Sequence, residues 1–245
     1  MGKNGPEFYD DDTVFSIYMS RRDGRKDSPN DLLEKPIIDE LTGSLINLRV
    51  LDLGCGDARY GREALQRGCQ SYLGIDGSKN MIALAKKNLA GTAGEVVRAA
   101  IEEWNFPRQQ FDLVISRLAL HYVEAIEAVF AKVFEALVAG GHFVFSIEHP
   151  VITSSDKGWQ TRGPRHDWIV DDYFETGPRQ TLWMNGEVIK YHRTVEDHFM
   201  ALRQTGFVVD AVRESRPKPE LFTDPATYER RKRIPLMLFF GACRP

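Results

Sequence analysis

Between residues 48 and 147, short apolar runs alternate with amphipathic stretches, and nothing else in the chain constrains its fold as much. The apolar run 48–53 is interrupted only by Arg49 and Asp52, and 58–67 then reads as a helix. A second strand is expected at 71–75, followed by a helix at 78–89 that turns Met81, Ile82, Leu84 and Ala85 inward. The pattern repeats with a weaker third strand at 95–100 and a fourth at 111–116. A helix at 124–138, closed by Gly140-Gly141 as a left-handed cap, leads into a fifth strand at 142–147. A run such as FDLVIS at 111–116, with little polar interruption, suits a strand covered by helices on both faces. Strand and helix alternating at this pace form βαβ units, hence a mostly parallel sheet with right-handed crossovers. Ligands of such sheets bind at the carboxyl ends of the strands, so the site is expected after strands one, two, four and five.

The rest of the chain attaches to this frame. Residues 1–27 are polar with interleaved Phe8, Tyr9, Phe15 and Tyr18, either a frayed arm or a flap over a ligand. A helix is expected over 28–43, with Pro29 just inside its start and Leu32, Leu33, Ile37, Ile38 and Leu41 as its apolar stripe. After His149 the rhythm breaks, and 150–193 carries Trp159, Trp168, Tyr173, Phe174, Trp183 and Tyr191 among Gly, Pro and Asp. An insertion that long has its own small structure or a binding role. A helix at 194–205 and two last strands, 207–212 and 236–242, close the sheet as an antiparallel hairpin. The expected organisation is an arm at 1–27 and one catalytic domain at 28–245, with 150–193 as a lid over the substrate.

Composition removes whole classes of function. With 245 residues, 42% hydrophobic and 27% charged, the chain can build a core and is neither disordered nor a disulfide scaffold. Its longest apolar stretches fall far short of a bilayer span, and residues 1–12 are polar where a secretory leader is apolar. Thirty-two Lys and Arg against 35 Asp and Glu give a net charge of −3, so nothing global draws the protein to nucleic acid. The basic tract Arg230, Arg231, Lys232 and Arg233 reads as a solvated turn. Three cysteines without CxxC spacing (Cys55, Cys69, Cys243) indicate a reducing compartment, the cytoplasm, and no structural zinc. No two histidines have the spacing of a helical metal pair.

The chemistry-bearing motif is VLDLGCGDA at 50–58, a strand running into a glycine-rich turn and then a helix. Gly54 and Gly56 let the backbone pass close to a ligand, and the helix start offers unpaired N–H groups. Asp76 ends the second strand, near the distance from the glycine turn at which a carboxylate grips ribose hydroxyls. Together these indicate an adenosine-containing cofactor. A nicotinamide fingerprint would place a third glycine at position 59, which is Arg here. Asp52 also suits a cationic ligand better than a pyrophosphate, which a neighbouring carboxylate repels. A sulfonium carrying an amino-acid ammonium fits.

These segments resemble the class I S-adenosylmethionine-dependent methyltransferases. VLDLGCG at 50–56 is similar to that family's first motif, GIDGS at 74–78 to its second, FDLVISRLALHYV at 111–123 to its fourth and LVAGGHFVFSIEHP at 137–150 to the segment after it. His192-Arg193-Thr194, together with the EHP triplet, resembles a subgroup of bacterial small-molecule methyltransferases. The resemblance implies a Rossmann-like fold of seven strands with helices on both faces. It assigns Asp52, Gly54 and Gly56 to the methionine moiety of S-adenosylmethionine, Cys55 to the cofactor site, Asp76 to the ribose, and Gly77, Ser78 and Met81 to the adenosine. Where relatives carry an acidic residue before the fourth strand, this chain has Ala100. Ile101 is left for backbone contacts to the adenine, and Glu102 or Glu103 for the acidic role.

Methyl transfer is an in-line displacement driven by positioning and exclusion of water, and it needs a base only when the nucleophile arrives protonated. His121 is the first candidate for base or substrate orienter, with His149 and His192 behind it. Arg117 is a candidate for a carboxylate of the cofactor or substrate, or for pairing with a surface acid. Tyr18, Arg21, Tyr122, Glu148, Trp159 and Arg193 are the candidate substrate contacts. The reading is a methyltransferase acting on N or O of a small-molecule acceptor, as monomer or homodimer, without membrane or metal. The alternatives are a nucleic-acid methyltransferase, a nicotinamide-dependent reductase and a non-catalytic cofactor-binding regulator.

Overall fold

The computed structural model describes residues 2–22, 28–155 and 167–245. Two short helices, α1 (Gly5–Tyr9) and α2 (Asp12–Arg22), precede a π-helical turn at Asn30–Glu34 that runs into α3 (Lys35–Thr42). The alternating part follows: β1 (Arg49–Leu53), α4 (Arg59–Gln66), β2 (Ser71–Asp76), α5 (Lys79–Asn88), β3 (Glu95–Arg98), β4 (Phe111–Arg117), α6 (Ile126–Ala136) and β5 (Leu137–Glu148). Next come α7 (Pro150–Thr153), the strands β6 (Gly177–Trp183) and β7 (Gly186–His192), and α8 (Val195–Thr205). The chain ends with β8 (Val208–Glu214), α9 (Pro225–Arg231) and β9 (Met237–Cys243).

The main sheet has seven strands in the order β3-β2-β1-β4-β5-β9-β8. Strands β1 to β5 are parallel, while β9 runs antiparallel between β5 and β8. The mostly parallel sheet expected from the alternation, and the Rossmann-like seven-stranded α/β fold implied by the resemblance, are therefore what is found. Neighbouring residues of each strand feed opposite cores. Leu51, Leu53, Phe143 and Phe145 pack with Val129 and Phe130 of α6 and Leu202 of α8. Val50, Leu113, Ile115 and Val144 pack with Ile37 and Ile38 of α3, Ala64 of α4 and Ala85 of α5. Phe145 of β5 faces Phe240 of β9 in register, their rings stacked at 5.2 Å. Each such buried aromatic removes enough apolar surface from water to contribute about 2–3 kcal/mol.

One boundary differs from expectation. The sixth helix ends at Ala136, and Leu137 is already extended and paired with Phe111. Gly140 has φ +76, but it lies within β5, where its N–H donates to the carbonyl of Arg244, rather than capping a helix. Burial of Leu137 against the sheet draws the chain into the strand before the glycines are reached.

The insertion folds partly as the antiparallel hairpin β6–β7, a separate two-stranded sheet. The amino-terminal arm docks on it: the backbone of Lys3 bonds to Glu187 and Ile189 of β7, and Phe8, fully buried, packs with Val14, Met184 and Val188. Residues 2–22 are thus a packed cap. Among the described residues no helix is long and apolar enough to cross a membrane.

Candidate active site

The carboxyl ends of β1, β2, β4 and β5 open into one cleft of about 1870 Å³, roofed by α1, α2 and the β6–β7 hairpin. Pockets for one small ligand run to roughly 300–1,000 Å³, so there is room for two.

On the β1–β2 side the glycine turn is pinned by its own backbone. The amides of Gly54 and Cys55 both donate to the carbonyl of Ile75, at 2.8 and 3.0 Å. Gly54 has φ +72, and a Cβ there would lie 2.3 Å from that of Ala119, so only glycine lets the loops after β1 and β4 meet. Asp76 at the end of β2 is clamped by two amides, Gly56 N–H to one oxygen and Ser78 N–H to the other, each at 2.9 Å. Burial pushes its carboxyl up to about 6, and the two amides offset that only in part. Asp52 accepts from the Tyr72 hydroxyl at 2.7 Å through one oxygen, while its other oxygen is buried without a partner among the described residues. Burial pushes its carboxyl up to about 7 against the pull of Tyr72 and Arg117.

The arm covers this half. Pro6 lies against Gly77, whose added Cβ would come 2.5 Å from the proline ring. Asp10 accepts from the Ser78 hydroxyl at 2.6 Å and from the Asn80 amide at 3.3 Å. Ser78 caps α5 through Met81 N–H and is not on the cleft wall, whereas Cys55, Gly77, Met81, Ile101, Glu102 and Glu103 are.

Arg117 lines the cleft, yet its partner is the buried Glu34 at 2.6 Å rather than a surface acid. Glu34 also accepts from Ser146 at 2.5 Å, and Arg117 Nε is buried without a partner among the described residues. Nothing in the sequence flagged Glu34, an acid embedded in an apolar helical stripe.

The β4–β5 side carries the acceptor candidates. His121 is buried, and its Nδ1 accepts weakly from the Glu148 amide at 3.4 Å, which leaves the ring proton on Nε2. Burial pulls its pKa down to about 4, Lys190 adding to that and Glu148 opposing it. Glu148 accepts from Lys190 Nζ through both oxygens, at 2.6 and 2.8 Å. Burial pushes that carboxyl up, but Lys190 and His121 outweigh it and hold the group below its ordinary range. Lys190, 3% exposed, was missed in the sequence, although its inward position between Val188 and His192 follows the strand's period of two. Tyr9, Tyr18 and Tyr122 form an edge-packed group with the Tyr9 and Tyr122 hydroxyls 3.3 Å apart, and Arg21 lines the same cleft.

The other candidates are not on the cleft wall. His149 caps α7 through Val151 N–H and reaches Glu214 at 3.0 Å. His192 is fixed between the Thr153 hydroxyl at 2.7 Å and the carbonyl of Tyr173 at 2.9 Å. Arg193 donates to the carbonyls of Val123 and Glu124. His192 and Arg193 thereby tie the end of β7 to α7 and to the segment between β4 and α6. Trp159 lies outside the described residues. In the basic tract, Arg230 and Arg231 line the cleft, while Lys232 and Arg233 pair with Glu229 and Asp167.

The donor set fits the expected cofactor. The bare oxygen of Asp52 is an acceptor for an ammonium, Arg117 Nε is a donor for a carboxylate, and nothing stands within 4 Å of a Cβ built at Gly56.

Residues 50–141 match the model of a methyltransferase domain. A solved S-adenosylmethionine-dependent methyltransferase from Mesorhizobium loti is 35% identical, covering 91% of this chain and 99% of that one, with a TM-score of 0.81. Another, from Listeria monocytogenes, is 33% identical over 86% of this chain and 96% of its own, also with a TM-score of 0.81. The trans-aconitate 2-methyltransferase of Rhizobium etli is 28% identical over 136 residues, 55% of this chain and 49% of that protein.

Proposed function

The chain belongs to the class I S-adenosylmethionine-dependent methyltransferases, and from that premise we propose that it methylates an N or O atom of a small-molecule acceptor bound in this cleft. The observation that carries the reading is the single cleft shared by Asp52, Asp76 and the glycine turn on one side and His121, Tyr122 and Glu148 on the other. S-adenosylmethionine supplies a methyl group made electrophilic by its positively charged sulfur. In the proposal Asp52 faces the cofactor's ammonium, Arg117 its carboxylate, Asp76 the ribose hydroxyls and 101–103 the adenine.

The protein's own contribution is position and dryness. The tyrosine group and the docked arm keep water from the β4–β5 side, and His121, neutral around pH 7, acts there as an N–H donor that orients the acceptor. The trans-aconitate enzyme among the relatives supports an acceptor of metabolite size. The free cysteines and the −3 charge support a cytoplasmic enzyme rather than one acting on nucleic acid.

Calorimetric titration tests the site. Wild-type protein is expected to bind S-adenosylmethionine at micromolar concentration, and Asp76→Ala to weaken binding roughly 10- to 100-fold, the worth of lost hydrogen bonds to a charged group. Unchanged affinity in the variant sinks the assignment.

A further inference from the structure

Building on the methyltransferase reading, we propose that the acceptor is a carboxylate anion, seated by Arg21 and Lys190 at the Trp183 ring and methylated on oxygen without a general base. The sheet order puts β4 and β5 across the switch point from β1 and β2, so a second molecule beside the cofactor faces the end of β5 and the hairpin above it. Lys190 Nζ there lies 5.3 Å from the Trp183 ring centroid, and the guanidinium carbon of Arg21 lies 5.8 Å from the same centroid. Two cations therefore share one ring, which attracts both of them.

The charges do not cancel. Glu148 takes two of the three donors of Lys190 and neutralises it. Arg21, exposed at the cleft mouth, makes no ion pair with any described residue. The seat therefore holds a surplus positive charge and an uncommitted ammonium N–H. His121 Nε2–H is a further donor on the same wall. An amine acceptor would meet two cations and find the nearby Glu148 carboxylate already paired. A neutral alcohol would need a base, and His121 is a poor one, taking up no second ring proton until the pH falls to about 4. A carboxylate needs none. Its oxygen forms the bond to the methyl carbon as the carbon–sulfur bond breaks and the electron pair stays on sulfur. One negative and one positive charge vanish together, and no proton moves.

The test titrates succinate, glutarate, citrate and benzoate, with their primary amides and the corresponding amines, into the protein by calorimetry, with S-adenosylmethionine titrated on the same samples. At least one acid is expected to bind roughly tenfold tighter than its amide. Arg21→Gln is expected to lose about that factor and Arg21→Lys to recover most of it, with cofactor affinity unchanged. Arg21 is the position to vary because its exposure spares the fold, whereas removing Lys190 strands a buried carboxylate. The methylated product of the best acid is expected to release its methyl group in mild alkali, as an ester does. Acids binding no better than amides, Arg21→Gln without effect, or an alkali-stable methyl group each overturn the carboxylate seat. Loss of S-adenosylmethionine binding by the wild-type protein would instead overturn the methyltransferase site itself.

Discussion

A buried carboxylate with one oxygen on Tyr72 and the other bare is unfavourable while it is charged, which is why Asp52 is shifted up to about 7. In the unfolded chain it titrates near pH 4, so its contribution to stability is full below about pH 4 and is lost as pH rises through about 7. Asp52→Asn keeps the oxygen that Tyr72 needs and removes the charge. In scanning calorimetry without cofactor, the variant's melting temperature is expected to gain on wild type as pH rises from about 5 to about 8. A difference flat across that range would contradict the buried charge. His121→Ala is expected to lower turnover roughly tenfold or more, as loss of an orienting hydrogen bond does, while cofactor affinity holds. Normal turnover would remove His121 from the site. Asp52, Gly54 and Asp76 were legible in the sequence because a short covalent spacing ties them to consecutive strand ends. Glu34 and Lys190 were not, because the partners that define them, Arg117 and Glu148, stand 83 and 42 positions away.

At the level of elements, the alternating strands and helices were readable because each buries a face with its own period. The arm and hairpin were not, since polar segments with scattered rings read equally well as frayed or docked. Docking here rests on specific partners: Phe8 in the hairpin's apolar cluster, Pro6 over Gly77, and Asp10 on Ser78 and Asn80. Asp10→Ala is expected to speed amide exchange across residues 2–22 severalfold while leaving the sheet protected, and to raise the cofactor's dissociation rate. Exchange in the arm equal to wild type would show that the Asp10 contacts do not hold it. The EHP and HRT triplets belong at this scale too. His149 and Thr194 cap α7 and α8, and His192 ties β7 to Thr153, so the contacts these side chains make hold elements in place.

For the molecule as a whole, charge and topology work together. The cleft wall mixes both signs of charge, with Arg21, Arg22, Arg117, Lys190, Arg230 and Arg231 set among acids that include Asp52, Asp76, Glu102 and Glu148. The sheet is completed by its latest strand, β9, which fills the interior slot between β5 and β8. Until that strand arrives, β5 presents a bare edge bearing Phe143, Phe145 and Ile147, a template for pairing with other chains. A chain cut after residue 235 is expected to collect in inclusion bodies, and recovery of a monomeric truncated protein would contradict this. On a ribosome, the segment that holds the proposed cofactor contacts Asp52, Asp76 and Arg117 is complete in sequence long before the strand that closes the sheet has been made. The newborn chain thus holds those proposed contacts while one flank of its central sheet still waits for residues 237–243.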